Sequence, residues 1–334
     1  MKTRQLGIQG PHVSAIGVGA LSFSNFYGPA EDEGSHKVLR AALELGINHI
    51  DTSNVYGNGR SETVIGSFLS MQGKLKEDLF TIASKVGICR NAETGQRYFD
   101  NSESHIRDQL DKTLKRLGVN SLDLYYIHRR DESIPIEEVA GTMMKLVEEG
   151  KIKSYGFSEI APSSLKLAQS VGYVAAVQSE YSLSTRNPEM GLTQLTKASG
   201  TALVAFSPVG RSLLTDYPHT AERISHMDFL KENPRFIEPN LSRNVQIAAS
   251  FRKLAGELNI SASGLAIAWL LHQGDNIIPI PGTRTVKHLE ELAEGTRRNL
   301  TQEELALIDT TLPIGWAHGN RYSISQSKAV EQYC

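Results

Sequence analysis

Asp51, Tyr56, Lys85 and His128 are the residues of this chain whose types and spacing suit them to chemistry. A carboxylate, a phenol, an ammonium and an imidazole can between them move a proton and stabilise negative charge as it forms. Each stands at or just beyond the end of an apolar run: Asp51 and Tyr56 after Ile47–Ile50, Lys85 after Leu79–Ser84, and His128 after Leu122–Ile127. Taken singly, each has an ordinary explanation. His128 would be a core histidine satisfied by hydrogen bonds, and Lys85 a snorkelling surface residue. Taken together they point to function, because several ionisable groups at the exits of buried strands cost on the order of several kcal/mol unless they pair, and functional sites commonly accept that cost.

A repeating unit must position them. From about residue 31 the sequence alternates helical and strand-like segments, and a glycine often marks the switch. Ile106, Leu110, Leu114 and Leu117 recur at helical spacing, Gly118 ends the run, and Leu122–Ile127 reads as a buried strand. Gly46, Gly150, Gly172 and Gly200 stand likewise before Ile47–Ile50, Ile152–Phe157, Val174–Val177 and Ala202–Phe206. From Ile16–Val18 to Ile277–Ile280 there are about eight such strands, each followed by helical material, which predicts an α/β fold of the (β/α)8 barrel type with all strand exits on one rim. A doubly wound sheet is the competing arrangement.

Thr3–Leu6 and Val13–Ile16, around Gly10-Pro11, predict an N-terminal β-hairpin that closes the bottom of the barrel. Residues 211–242, with Pro218, Pro234 and Pro239, read as a long irregular insertion of the kind that forms lids or binding loops. The tail 313–334 has no clear period, and 1–334 reads as one domain.

With 35 Lys and Arg against 37 Asp and Glu, the chain carries no electrostatic footprint for nucleic acid or an anionic membrane. Cys89 and Cys334 make neither a disulfide framework nor a metal site, so no metal is expected and a reducing compartment fits best. No apolar stretch approaches the roughly 18 residues that span a bilayer, and the N-terminus lacks a signal peptide's apolar run. The expectation is a cytoplasmic protein with a small-molecule partner; self-association is not readable. Two motif fragments are set aside. Gly17-Val-Gly19-Ala-Leu-Ser22 lacks the third glycine and the following helix of a dinucleotide fingerprint. Gly156-Phe-Ser158-Glu-Ile160 lacks the second glycine of a nucleophile elbow.

The four chemical residues sit in a longer pattern: Asn48-His-Ile-Asp51-Thr-Ser-Asn-Val-Tyr56-Gly57, Ser61-Glu62, Lys85, Asp123-Leu-Tyr-Tyr-Ile-His128, Gly156-Phe-Ser158, Gln178-Ser-Glu-Tyr181, Ser207-Pro-Val-Gly210 and Ile280-Pro-Gly-Thr-Arg284. In order and spacing this set resembles the aldo-keto reductases along nearly the whole chain. Ser158-Glu159 and Gln178-Ser-Glu-Tyr-Ser182 are similar to the bacterial and plant branch related to potassium-channel β subunits. The resemblance implies a barrel that reduces aldehydes or ketones with NADPH, NADH being less favoured. It makes Tyr56 the proton donor, Asp51 the group that holds Lys85, and His128 the donor that orients the carbonyl. A lysine cation about 4 Å from the phenol would be worth about 4 kcal/mol at an effective dielectric near 20, roughly three pKa units, partly opposed by desolvation.

The same resemblance implies cofactor contacts at Ser158, Glu159 and Gln178 for the nicotinamide carboxamide, and at Phe206 for its ring, although a core aromatic is the alternative there. It implies Ser207, Val209 and Arg211 for the pyrophosphate, and Gly282, Thr283, Arg284 and His288 for the ribose phosphate, with Glu291 at the adenine. Glu159 stands where asparagine is common, as does Leu292 beside Glu291. Candidates for the substrate wall are Phe23, Tyr27, Tyr56, Arg129, the 211–242 loop and Trp316. Arg129-Arg130 reads first as a solvated surface pair and second as a feature favouring polar or acidic substrates. The rival reading of the whole is a cofactor-binding, redox-sensing subunit with little turnover.

Overall fold

The computed structural model describes residues 1–73, 78–91 and 93–333; Cys334 lies outside them. In chain order the elements are β1 (Thr3–Gln5), β2 (His12–Ser14), β3 (Val18–Gly19), α1 (Asp32–Glu44), β4 (His49–Asp51), α2 (Arg60–Ser70), β5 (Thr81–Val86), β6 (Ile88–Arg90), β7 (Arg97–Phe99), α3 (Glu103–Leu117), β8 (Leu124–Ile127) and α4 (Ile136–Glu148). They continue with β9 (Tyr155–Ser158), α5 (Pro162–Gln169), β10 (Ala176–Glu180), α6 (Leu192–Ser199), β11 (Ala202–Phe206), α7 (Ala221–Ser225), α8 (Asn240–Glu257), α9 (Ala262–His272), β12 (Ile277–Pro279), α10 (Val286–Glu294) and α11 (Gln302–Thr311).

Eight strands form one parallel sheet in the order β3-β4-β5-β8-β9-β10-β11-β12. The edges meet: Gly17 N donates to Pro279 O at 2.8 Å and Gly19 N to Pro281 O at 2.9 Å, which joins β3 to the β12 side and closes the (β/α)8 barrel. A Cβ on Gly19 would lie 2.6 Å from Ile280 O, so only glycine allows this approach. The Gly17-Val-Gly19 fragment therefore serves barrel closure.

Alternation along each strand sorts the core into two layers. Leu124 and Tyr126 face the barrel interior with Ala83, Ala176, Ala202, Val204 and Ile278, while Tyr125 and Ile127 face the outer helices. Leu6 and Val13 belong to the interior cluster, so the antiparallel β1–β2 hairpin plugs the barrel bottom as expected. Helix α3 follows its sequence pattern: the Ser102 hydroxyl caps it by accepting from His105 N, Ile106, Leu110 and Leu117 are buried, and Gly118 ends it at φ +68°.

Two segments differ from expectation. The 211–242 segment is less irregular than its prolines suggested: it starts within the 3-10 turn Gly210–Ser212, holds α7 and then the 3-10 turns Leu230–Glu232 and Pro234–Phe236, and α8 begins at Asn240. Pro234 opens the last of these turns and Pro239 precedes α8, because a fixed φ and a missing N–H suit the first turn of a helix. The unforeseen β6–β7 hairpin follows β5 directly and stands at the rim. Beyond Thr311 the described tail has no helix or strand, and side chains lace it to the top of the barrel. Asn233 Nδ2 donates to Arg321 O at 2.6 Å, Gln326 Nε2 to Phe229 O at 2.7 Å, and Arg97 to Ser325 O at 2.9 Å. Among the described residues, no single helix is long and apolar enough to cross a membrane.

Candidate active site

The strand exits converge on a cleft of about 750 Å³ at the rim. Asp51 ends β4, Lys85 lies in β5 opposite Tyr126 of β8, and His128 follows β8 with its N–H donating to Val86 O at 2.7 Å. Lys85 is fully buried, and its ammonium is held by the Asp51 carboxylate and by Thr52 O at 2.7 Å. Its third donor direction points to Tyr56 Oη at 3.4 Å. The other Asp51 oxygen accepts from Gln178 Nε2 at 2.8 Å, so the carboxylate is fixed from two sides. The Tyr56 and His128 rings meet edge to face with centroids 5.7 Å apart, and Ser53 Oγ lies 3.1 Å from His128 Nδ1. That leaves Nε2 as the ring nitrogen for a substrate oxygen.

Electrostatics differ from expectation in one respect. Burial, and next the Asp51 carboxylate, push the Tyr56 phenol well above its ordinary value, against the opposing pull of Arg129. No net downward shift results, because burial of the phenol and the Asp51 carboxylate outweigh the cations around it. Burial also lowers the Lys85 ammonium, with Asp51 offsetting part of the fall. Burial, with Lys85, Arg129 and Arg97 nearby, holds His128 well below the usual imidazole range, so the ring is neutral near pH 7.

Most of the remaining candidates line the same cleft: Tyr27, Arg129, Ser158, Gln178, Phe206, Ser207, Val209, Arg211, Gly282, Thr283, Arg284, His288 and Glu291. Three do not. Phe23 is fully buried in the core, where the 3-10 turn Ala20–Phe23 points it inward. Trp316 is also core, its indole N–H donating to Leu183 O at 2.9 Å. Glu159, at φ +59°, turns its carboxylate from the cleft to Glu180 N at 2.8 Å and to Arg321 at 2.5 Å.

Two others reach the cleft in an unexpected way. The Arg211 guanidinium is bidentate on Glu180, at 3.0 and 2.8 Å, and stacks over Phe229 and Tyr322. Burial would raise the Glu180 carboxyl, but Arg211, Arg321 and Arg235 together pull it down to about 2. Arg129 is no solvated surface residue: it is buried and donates to His128 O at 2.6 Å and Ser158 Oγ at 3.1 Å. At the cleft's other end, Thr285 caps the N-terminus of α10, and Arg284 and Arg223 face the cleft without a carboxylate within ion-pair distance among the described residues. The sequence reading named the 211–242 segment but not Arg223 or Phe229 within it, nor Tyr322 of the tail as a wall residue, since nothing in an aperiodic segment marks which side chains turn inward.

This geometry carries a comparison. The profile described as the Aldo/keto reductase family matches residues 15–312. The chain belongs to the aldo/keto reductase family. It is 38% identical over 292 residues to the aldo-keto reductase yakc [NADP(+)] of Schizosaccharomyces pombe, covering 86% of this chain and 85% of that protein. It is 35% identical over 319 residues to the probable aldo-keto reductase 1 of Glycine max, covering 95% and 91%. Among solved structures, the glycerol dehydrogenase AKR11B4 of Gluconobacter oxydans superposes with a TM-score of 0.81 at 26% identity, covering 96% of this chain and 98% of that one. As an aldo/keto reductase, the chain is an oxidoreductase.

Proposed function

We propose that this aldo/keto reductase, read as one barrel domain over 1–334, is an NADPH-dependent carbonyl reductase in which Tyr56 gives the proton. The observation that carries the reading is the Tyr56 hydroxyl 3.4 Å from the Lys85 ammonium, on the cleft, beside neutral His128. When bound, the nicotinamide supplies a hydride to the carbonyl carbon. The developing alkoxide is far more basic than any phenolate, so a phenol with a raised pKa still protonates it. Lys85 then stabilises the phenolate left behind, and Asp51 keeps the lysine in place. His128 Nε2 donates to the carbonyl oxygen and orients it, while Ser53 at Nδ1 fixes the ring.

The residues present fit the dinucleotide. Ser158 and Gln178 edge the cleft beside Asp51, Phe206 offers a half-buried ring, and Ser207 at φ +50° bends the chain after β11 around the opening. Thr283, Arg284 and His288 surround the α10 N-terminus, where the positive end of the helix and a guanidinium with no carboxylate partner among the described residues suit a ribose phosphate. Their charge favours NADPH over NADH, in keeping with the cofactor named for the yeast relative. Turnover of an activated aromatic aldehyde with NADPH and with NADH tests the reading: NADPH oxidation tied to aldehyde loss supports it, and no aldehyde-dependent oxidation refutes it.

A further inference from the structure

One lobe of the cleft is unusually cationic. Arg90 and Arg97 are cross-strand partners in the β6–β7 hairpin, an arrangement in which like charges repel, and both line the cleft with Arg129 from the end of β8. Burial, and next the neighbouring Arg129 and Arg90, depress the Arg97 guanidinium. Among the described residues, none of the three has a carboxylate within ion-pair distance. In the same chain, Arg116, Arg130, Arg186 and Arg211 each have such a partner.

A purely structural role accounts for only part of the arrangement. Arg129 bonds through one terminal nitrogen, to His128 O at 2.6 Å and Ser158 Oγ at 3.1 Å. Arg97 bonds through one terminal nitrogen to the tail carbonyls of Ser325 and Gln326, at 2.9 and 3.3 Å. The rest of each fork has no protein acceptor among the described residues. Guanidinium forks that converge without a counter-charge suit a planar, bidentate anion. The same cleft has an aromatic wall: Phe26 packs on Phe229 with centroids 5.3 Å apart, and Tyr322 meets Phe229 edge to face at 6.0 Å.

We propose that the carbonyl substrate carries a carboxylate, which Arg97 and Arg129 seat beside His128 while the body of the substrate lies against the Phe26, Phe229 and Tyr322 wall. This rests on the carbonyl-reductase reading and adds the substrate class. A keto or aldehydic acid would meet both the arginines and the aromatic wall, and its neutral ester only the aromatic wall.

The test compares kcat/KM for 3- and 4-carboxybenzaldehyde with their methyl esters, in the wild type and in Arg97→Met and Arg129→Met. At least one acid should be preferred over its ester by tenfold or more, about 1.4 kcal/mol, with the preference falling as salt rises and collapsing toward unity in both variants. Equal rates for acids and esters, or a preference that survives both substitutions, would overturn the proposal. Calorimetric titration of benzoate and benzamide onto the NADP+-loaded protein gives a reading independent of turnover. Benzoate should bind at least tenfold more tightly, less so in Arg97→Met; equal affinities refute the arginine site. Reduction of the esters with no preference for the acids would sink this inference and leave the reductase reading intact.

Discussion

Replacing Lys85 by methionine removes the buried cation and keeps the apolar stem. At 3.4 Å, a lysine charge and a phenolate interact by about 5 kcal/mol at an effective dielectric near 20. That sets an upper bound of about three to four orders of magnitude on the loss of turnover, because Asp51 already offsets part of the charge. Stability should also fall, by about 3–5 kcal/mol, since Asp51 is left buried with only Gln178 as a partner. The double variant Lys85→Met/Asp51→Asn separates the two effects: neutralising the stranded carboxylate should recover most of the stability while turnover stays low. Aldehyde-dependent NADPH oxidation gives the first quantity, and urea denaturation of both variants gives the second. Turnover within tenfold of wild type in Lys85→Met, or a double variant no more stable than the single one, would refute the reasoning.

Other expectations follow from the same geometry. Arg284→Ala should raise the Michaelis constant for NADPH by about 10- to 100-fold, the loss of one or two charge-assisted bonds, and leave that for NADH nearly unchanged; equal effects on both cofactors would remove Arg284 from the phosphate site. The reductive rate should be level from pH 6 to 9, because the active form is the protonated phenol and its raised pKa is reached only at higher pH; a fall within that window would contradict a buried Tyr56 donor. Glu180 has its folded pKa depressed from 4.5 to about 2, so its stabilisation is complete above 4.5 and lost as pH falls toward 2. That shift amounts to about 3 kcal/mol. Glu180→Gln should therefore flatten the acid limb of the stability–pH curve, and an unchanged slope would count against the Glu180–arginine cluster.

Much of this was legible in the residues because barrel strands announce themselves. Apolar runs closed by polar groups, such as Leu122–Ile127 before His128, mark both a buried strand and the rim it exits onto. Gly118 likewise marks the end of α3 through a conformation few other residues tolerate. What stayed hidden depends on direction rather than position. Phe23 and Trp316 lie in aperiodic segments, where no repeat distinguishes an inward from an outward side chain. Glu159 was expected at the cofactor but is drawn from the cleft to Arg321, and Arg211 lines the cleft as expected but already paired with Glu180, a partner 31 residues away. Arg129 looked solvated because adjacent arginines usually are; the end of β8 sends it into the cleft while Arg130 turns to Glu331.

The central claim is that the Tyr56 hydroxyl supplies the proton. Tyr56→Phe removes that one oxygen and leaves Lys85 on Asp51 and Thr52 O, so NADPH affinity by fluorescence titration should stay near wild type while steady-state and single-turnover aldehyde reduction both fall by at least about a hundredfold. Near-normal turnover in that variant would contradict the account, whatever the other residues did.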